Sequence, residues 1–588
     1  MLPHWSLDSI YPSLESDLFK KDFSLIKNLS ESLSVKTEKS SPLTEDDFKN
    51  LLNDYNNLAD VVETLGAYAY ALLSVDTNSE KAMAAVNKIE EEAVLAKVAH
   101  VKVVNFLDKN REAVLRLVKG SSALYDYEFV IKELLEEKKH TLSEELESLA
   151  ADLNRSGSDA FSRLQESLSS NSTTAWAENE IKSVIQLRAL AFDSDRSVRE
   201  RAFKAELKLW EQDKIAFAAS LNSVKGTTLT LDKKRSYSSP LERSVKQSRI
   251  TEEILNALIS TIEDNRSVFV KYLKAKAYAL NLEKLAFYDL FAPVGKSSKR
   301  YSYQEAQEFI IKNFSDFHKD LGEFAKMAFE KNWIDSESRV AKVGGAYCTS
   351  FPLRKEIRIL ANYDYSYDSV STIAHELGHG YHDYVTNKLP ALLRSYPVTL
   401  AETASIFSQV IVFKGALKEA TQSEKITLIE SFLQDATQTC IDILSRYYFE
   451  KTVFEKREEG ELSPNQFCEI MKQVQKEAYR EGLDEDALHP YMWAVKGHYY
   501  RSDLSFYNYP YAFGLLFGLG VFNLRESYNG DFAQLYDSLL YKTGQLNAND
   551  VALSVNLEIS KKQFWQQGID LIASYVDEFV TLVGYVGA

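Results

Sequence analysis

The sequence predicts a mainly α-helical protein of more than one lobe, with one small antiparallel sheet set just before a helix that carries a metal-binding motif. Three observations predict it. The chain has 588 residues, too many for one hydrophobic core, so two or more lobes are expected. No proline stands between Pro42 and Pro240, and apolar residues recur there at helical spacing, as at Leu51, Tyr55, Leu58, Val62 and Leu65. Only residues 338–363 signal strands clearly.

Residues 1–20 read as an irregular segment anchored by Trp5, Ile10 and Tyr11. Helices are expected over 14–39, 44–75, 78–108, 110–119 and 124–139. Thr141 and Glu144 have capping-box spacing, and the Ser-rich stretch 156–174 reads as a break. Further helices are expected over 178–219 and 250–281. Between them, Lys233 to Pro240 reads as a solvated loop or a substrate contact. No strict seven-residue repeat is sustained, so packed antiparallel helices are expected rather than a coiled coil. Residues 284–293 form a connector and a helix follows near 303–332. Strands are expected at 339–343 and 346–350, flanking Gly344-Gly345, and over 356–363. From 398 to 580 the chain is helical again, apart from a Gly/Tyr-rich stretch near 497–520. The expected division is an N-terminal helical domain at 1–190 and a domain holding the metal motif at 191–588.

The net charge of −16 disfavours a nucleic-acid partner, whose phosphates attract basic surfaces. No run of about 18 apolar residues suggests a membrane span. Met1-Leu2-Pro3-His4-Trp5 lacks the basic start and apolar core of a signal peptide. Cys348, Cys440 and Cys468 are too widely spaced for a zinc cluster or a disulfide framework. A cytoplasmic protein with no membrane partner is expected.

Thr372-Ile373-Ala374-His375-Glu376-Leu377-Gly378-His379-Gly380-Tyr381-His382 contains His-Glu-x-x-His. Positions i and i+4 share a helix face, so His375 and His379 suit two nitrogen ligands on one zinc ion. Glu376 beside them suits a general base acting on water. Over 369–386, Val370, Ile373, Leu377, Tyr381 and Tyr384 fall on one side. His375, His379 and His382 fall on the opposite side, away from the main core face. Gly378 and Gly380 each cost about 1 kcal/mol relative to alanine in a helix. They make sense if another backbone or a substrate passes close.

A catalytic zinc site usually takes three protein ligands and keeps one position open. A third histidine six positions after His379 is ruled out by Val385. Three successive turns do not converge easily on one tetrahedral ion, so His382 reads as a supporting or substrate-side group. Glu402 is the next candidate. Its helix follows Pro397 and is apolar on most sides, with Glu402, Ser405 and Gln409 in one polar stripe. A dry, unpaired carboxylate costs several kcal/mol, so Glu402 needs a metal or a salt bridge. Metal ligation is the reading taken.

Ala374-His375-Glu376-Leu377-Gly378-His379-Gly380-Tyr381-His382 followed by Ala401-Glu402-Thr403-Ala404-Ser405 resembles the oligoendopeptidase F branch of the thimet oligopeptidase family of zinc peptidases. Trp5-Ser6-Leu7-Asp8-Ser9-Ile10-Tyr11, Gly344-Gly345-Ala346-Tyr347-Cys348 and Phe506-Tyr507-Asn508-Tyr509-Pro510-Tyr511 carry the same resemblance. It covers nearly the whole chain, densely over 340–520 and thinly before 200. The resemblance implies two helical lobes around a deep substrate channel, one zinc ion per chain and cleavage of short peptides. It also implies that His498 and Tyr507 face the scissile carbonyl, with Tyr500 and Tyr511 as further substrate-binding candidates. The residues alone leave that stretch as packing or as substrate wall. Gly344, Gly345, Ala346 and Tyr347 read as a hairpin turn or as an edge to which an extended peptide adds as a strand, and the resemblance favours the second.

The function expected is zinc-dependent endopeptidase action on oligopeptides, with His375, His379 and Glu402 as ligands, Glu376 as base, and His498 and Tyr507 as oxyanion donors. Zinc over manganese or cobalt is inferred from ligand type. One alternative is a carboxypeptidase or dipeptidyl carboxypeptidase, anchored through Lys496 or Arg501. Another is a non-catalytic peptide-binding protein, against which an intact Glu376 argues. A monomer and a homo-oligomer are both compatible with the sequence.

Overall fold

Capping residues set where the first long helices begin in the computed structural model, which describes residues 2–38, 42–295 and 299–586. Ser16 accepts from the Phe19 N–H ahead of helix Asp17–Thr37, Thr44 from Asp47 ahead of Glu45–Val75, and Ser79 from Ala82 ahead of Glu80–Lys109. Each side chain satisfies an amide that a helix start leaves unbonded. These helices lie where the periodicity puts them; Lys39, the expected end of the first, lies outside the described residues.

Four local expectations change. Ser143, not Thr141, caps the helix Glu144–Ser156. The Ser-rich stretch is itself a helix, Ser158–Asn171, and the break is confined to Gly157, because serine carries only a mild helix penalty. Thr173–Ala177 and Glu180–Ser183 pair as an antiparallel hairpin at the start of the expected helix over 178–219. The long helix is Arg196–Lys234, capped by Asp195, and runs past 219 without interruption. The basic stretch after it includes Arg235, whose guanidinium pairs with Glu147 at 2.6 Å.

The chain forms two compact units, each built from three segments. The first comprises residues 1–139, 299–418 and 524–557; the second comprises 140–298, 419–523 and 558–588. A single cut at residue 190 therefore does not separate them. The first unit has a continuous apolar core that joins Ile10, Tyr11 and the N-terminal helices to Phe351, Leu389 and Leu393. Arg358, 1% exposed, pins the N-terminal segment through the Ser6 carbonyl and the Ser9 hydroxyl.

The sheet of this unit has the order Ile334–Asp335, Glu356–Leu360, Tyr347–Phe351. Its outer strand Tyr347–Phe351 is antiparallel to the central one, as expected, but Ile334–Asp335 is parallel to it. The hairpin turns through Pro352–Arg354 and Lys355, at φ +52°, rather than at Gly344-Gly345. Residues 339–343 form no strand. Arg339 and Lys342 instead fold onto the buried Asp335, both at 2.7 Å, and a buried carboxylate needs such partners.

In the second unit the Arg196–Lys234 helix buries Trp210, Phe217, Leu221 and Val224. Its Lys225 meets Glu450 at 2.6 Å with both side chains enclosed. A π-helical segment, Gln438–Asp442, joins the helices Gln422–Thr437 and Ile443–Glu459. The two units are mostly helical, as the sequence predicts. Two helices, Glu45–Val75 and Val398–Glu419, are long and apolar enough to cross a membrane by length and composition, which the sequence reading did not anticipate. The second has 67% of its most apolar window buried within the fold.

Candidate metal centre

The motif helix, Tyr367–Thr386, starts at Ser366, whose hydroxyl accepts from the Ser369 N–H. Val370, Ile373, Leu377 and Tyr381 are buried, which turns the other side toward the helix Val398–Glu419. His375 Nε2 and His379 Nε2 lie 3.3 and 3.6 Å from Glu402 Oε2. The two imidazoles cross at 81°, centroids 4.9 Å apart. One ligand atom from each of the three residues falls within 4.8 Å of the others.

The Val398–Glu419 helix also orients these groups. His375 Nδ1 donates to Gln409 Oε1 at 3.2 Å, and the His379 ring bonds to the Ala401 backbone carbonyl. A His375 proton held at Nδ1 by Gln409 would leave Nε2, the nitrogen beside Glu402, to ligate a metal. Ser405 Oγ donates to Glu402 Oε2 at 2.7 Å. The helices can approach because position 378 is glycine. A Cβ there would stand 2.5 Å from the Ala404 carbonyl oxygen and 2.7 Å from Ser405 Cα. This is the close backbone that the glycine predicts. Gly380 instead meets the side chains of Phe324 and Ile357, at 3.0 and 3.3 Å.

Burial shapes the charges. It pushes the Glu402 carboxyl up, but the His375 hydrogen bond and the charges of both histidines outweigh it and hold the group at about 2. Burial and the neighbouring His375 push His379 down to about 4. His375 goes the other way, because its bond to Glu402 and that charge outweigh burial. Glu376 is 6% exposed and burial lifts it to about 7, against the opposing effects of His375 and a backbone hydrogen bond from Cys348. Two imidazole nitrogens and one carboxylate oxygen this close are a donor set that could hold one metal ion. Glu376 stays outside that set.

Two predicted substrate contacts are enclosed. His382 has no exposed surface: its Nε2 meets Thr543 Oγ1 at 2.7 Å and its ring stacks on Tyr396, centroids 4.0 Å apart. It is a core group, and the helix face shared with His375 and His379 does not remain open along its length. Tyr500 is also wholly buried, so neither side chain touches a peptide in this arrangement. Gly345 takes φ +80°, which favours glycine, yet a Cβ at either Gly344 or Gly345 would meet nothing within 4 Å. Tyr347 is anchored to Ser74 Oγ at 2.7 Å.

The second unit holds its own polar cluster. His498 stacks near Tyr507, centroids 5.6 Å apart and 29° between planes. The Tyr507 and Tyr511 hydroxyls meet at 2.5 Å. Asn508 lies 2.8 Å from His498 Nε2 and 3.2 Å from Arg446. His498 is pushed down to about 2 by burial and by the cations Arg446, Lys496 and Lys225, so it is neutral at ordinary pH. Sequence reading did not assign roles to Gln409, Ser405, Asn508 or Arg446. Gln409 and Ser405 were visible in the polar stripe of Glu402, whereas nothing in the sequence points from Arg446 to residue 508.

Residues 189–571 match the family model described as peptidase family M3, and residues 106–172 match one described as oligopeptidase F. The oligopeptidase PepF of Bacillus subtilis is 24% identical over 522 residues, covering 87% of this chain and 77% of that protein. An oligoendopeptidase F homolog of Borreliella burgdorferi is 24% identical over 602 residues, covering 96% of each. Among solved structures, oligoendopeptidase-F from Enterococcus faecium shares the fold with a TM-score of 0.71 at 18% identity, covering 97% of this chain and 99% of that one.

Proposed function

From the premise that the chain belongs to peptidase family M3, a family of metallopeptidases, we propose that it is a zinc-dependent oligoendopeptidase. The observation that carries the reading is the convergence of His375, His379 and Glu402 within 4.8 Å, with a desolvated Glu376 next in sequence to one ligand. His375, His379 and Glu402 would hold one zinc ion. When bound, such an ion supplies a Lewis acid that polarises the peptide carbonyl and makes water a better nucleophile at neutral pH.

Glu376 takes the proton of the attacking water and returns it to the leaving amine. Burial raises its carboxyl, which makes it a stronger base than an exposed carboxylate. The role proposed for His498 and Tyr507 is donation to the oxyanion, which a neutral imidazole and a phenol can both perform. Tyr511, 2.5 Å from the Tyr507 hydroxyl, orients it. Residues 344–347 lead into the outer strand, and we assign them to pairing with an extended oligopeptide.

Glu376→Gln keeps the shape and removes the base. It should bind metal with unchanged stoichiometry and lose peptide cleavage by about 10²-fold or more. Undiminished turnover would refute the assignment. Glu402→Ala should lose bound metal, measured by elemental analysis of the purified protein. The same measurement on the wild type identifies the ion, and manganese or cobalt as the active species would correct the zinc reading. Endopeptidase action is the reading taken; of the two anchors a carboxypeptidase could use, Arg501 makes an exposed pair with Asp503 at 2.6 and 3.0 Å. An oligopeptide blocked at both ends should still be cut internally; an exopeptidase would leave it intact. An intact Glu376 beside the ligand set speaks against a purely binding role. Cys348, Cys440 and Cys468 are free, which suits a reducing cytoplasm, and cell fractionation tests that placement.

A further inference from the structure

Asn508 sits between two groups that leave its amide one orientation. It is 4% exposed, so its polar atoms need partners inside the protein. Arg446 Nη1 lies 3.2 Å from Asn508 Oδ1. A guanidinium only donates, so the amide atom facing it must be the oxygen. The amide nitrogen then faces His498 Nε2 at 2.8 Å. That nitrogen also only donates, so His498 Nε2 must accept. A neutral imidazole that accepts at one nitrogen carries its proton at the other.

Arg446 is itself held. It pairs with Asp442, the last residue of the π-helical segment Gln438–Asp442, and Tyr479 Oη donates to Asp442 Oδ1 at 3.2 Å. Such single-turn widenings of a helix occur often at functional sites. At the other end, Phe506 takes φ +54°, a left-handed backbone that is costly for an aromatic residue. It immediately precedes Tyr507 and Asn508. His498 Nδ1 has no hydrogen-bond partner among the described residues.

We propose that Asp442, Arg446 and Asn508 form a relay that fixes His498 as the Nδ1–H tautomer, so that the ring presents a neutral N–H donor to substrate. Arg446 and Asn508 are positioning residues: they act on the reaction only through the proton on His498. The proposal rests on the reading of His498 as an oxyanion donor, and it adds which nitrogen donates and what holds it there. The basic groups facing the ring are Arg446, Lys496 and Lys225, of which burial lowers Lys496 to about 7. They oppose a second proton and leave tautomer choice to Asn508.

The test uses full-length protein labelled with ¹⁵N at histidine, with the His498 signals assigned by loss in His498→Gln. The expected spectrum has Nδ1 protonated and Nε2 unprotonated. The reverse assignment overturns the proposal. Asn508→Asp replaces the donor with a carboxylate, which should move the proton to Nε2. It should lower kcat by about 10²-fold, the cost of one lost oxyanion donor, with KM changed little. It should also bring a histidine ionisation into the pH profile of kcat. Arg446→Gln frees the amide to turn and should give a smaller loss of the same kind, while Arg446→Lys restores part of it. Retained metal content and an unchanged circular dichroism spectrum separate these effects from misfolding. Should Asn508→Asp misfold, the Arg446 pair and the wild-type spectrum decide the matter. Full activity in His498→Gln would remove the oxyanion role of His498, whereas the ¹⁵N spectrum would still decide the relay. Full activity in Asn508→Asp alongside a crippled His498→Gln would overturn the relay alone.

Discussion

Glycines 378 and 380 stand two residues apart on one helix and have different reasons to be glycine. A Cβ at 378 would strike the Ala404 carbonyl at 2.5 Å, and backbone cannot step aside. A Cβ at 380 would press on Phe324 and Ile357 side chains at 3.0 Å and beyond, which can give. Gly378→Ala should therefore cost about 1–3 kcal/mol through overpacking, outweighing the helix propensity it gains, and should weaken metal binding by displacing Glu402. Gly380→Ala should be close to neutral. Thermal melts and chelator competition on the two variants check this, and equal effects would contradict the contact geometry. At this scale the sequence was legible wherever spacing along one helix decides geometry: His375, Glu376 and His379 from their own turn, Glu402 from a polar stripe on an apolar helix. It was not legible for His382, because a helical wheel gives a direction but not what waits there. The ring is closed over by Tyr396 and Thr543, the second of which is remote in sequence.

Whole elements were read well where periodicity is long and poorly where a single residue decides. The helices Glu45–Val75 and Glu80–Lys109 need no special residue to be seen. The hairpin over 173–183 is too short to show a period against its helical surroundings, and the π-helical segment leaves no mark in a hydrophobic pattern. The Arg196–Lys234 helix carries a further buried carboxylate, Glu206. It receives Arg188 Nη1 at 2.6 Å, Trp210 Nε1 at 3.0 Å and lies 3.0 Å from His489 Nε2. Burial pushes Glu206 up, but the charges of His489 and Arg188 outweigh it and hold the group at about 2. A carboxyl depressed in the folded state adds stability above its unfolded value, near 4.5, and that stability is lost as pH falls through 4.5 toward 2. Glu206→Gln should destabilise the protein by about 3 kcal/mol at pH 7. The gap to wild type should narrow below about pH 4.5. Denaturant midpoints measured across that range test it; a gap independent of pH would show that the ion cluster is not the cause.

The whole molecule departs most from the sequence reading in how the chain is shared out. Length alone predicts more than one core, and two units are present. Where the chain passes between them is set by distant segments sharing one core, as Ile10 and Tyr11 do with Phe351 and Leu393, and a linear pattern does not display this. A fragment of residues 1–190 should accordingly lack a cooperative thermal transition, since 1–139 is missing the core partners it has in 299–418. A sharp, reversible melt of that fragment would show that the N-terminal helices are self-sufficient. The two units are made of six alternating segments joined by five crossings. A protease that nicks the chain once, at any crossing, leaves the two units joined by the other four. Neither unit can be released without breaking all five crossings, so a nicked molecule stays in one piece until it unfolds.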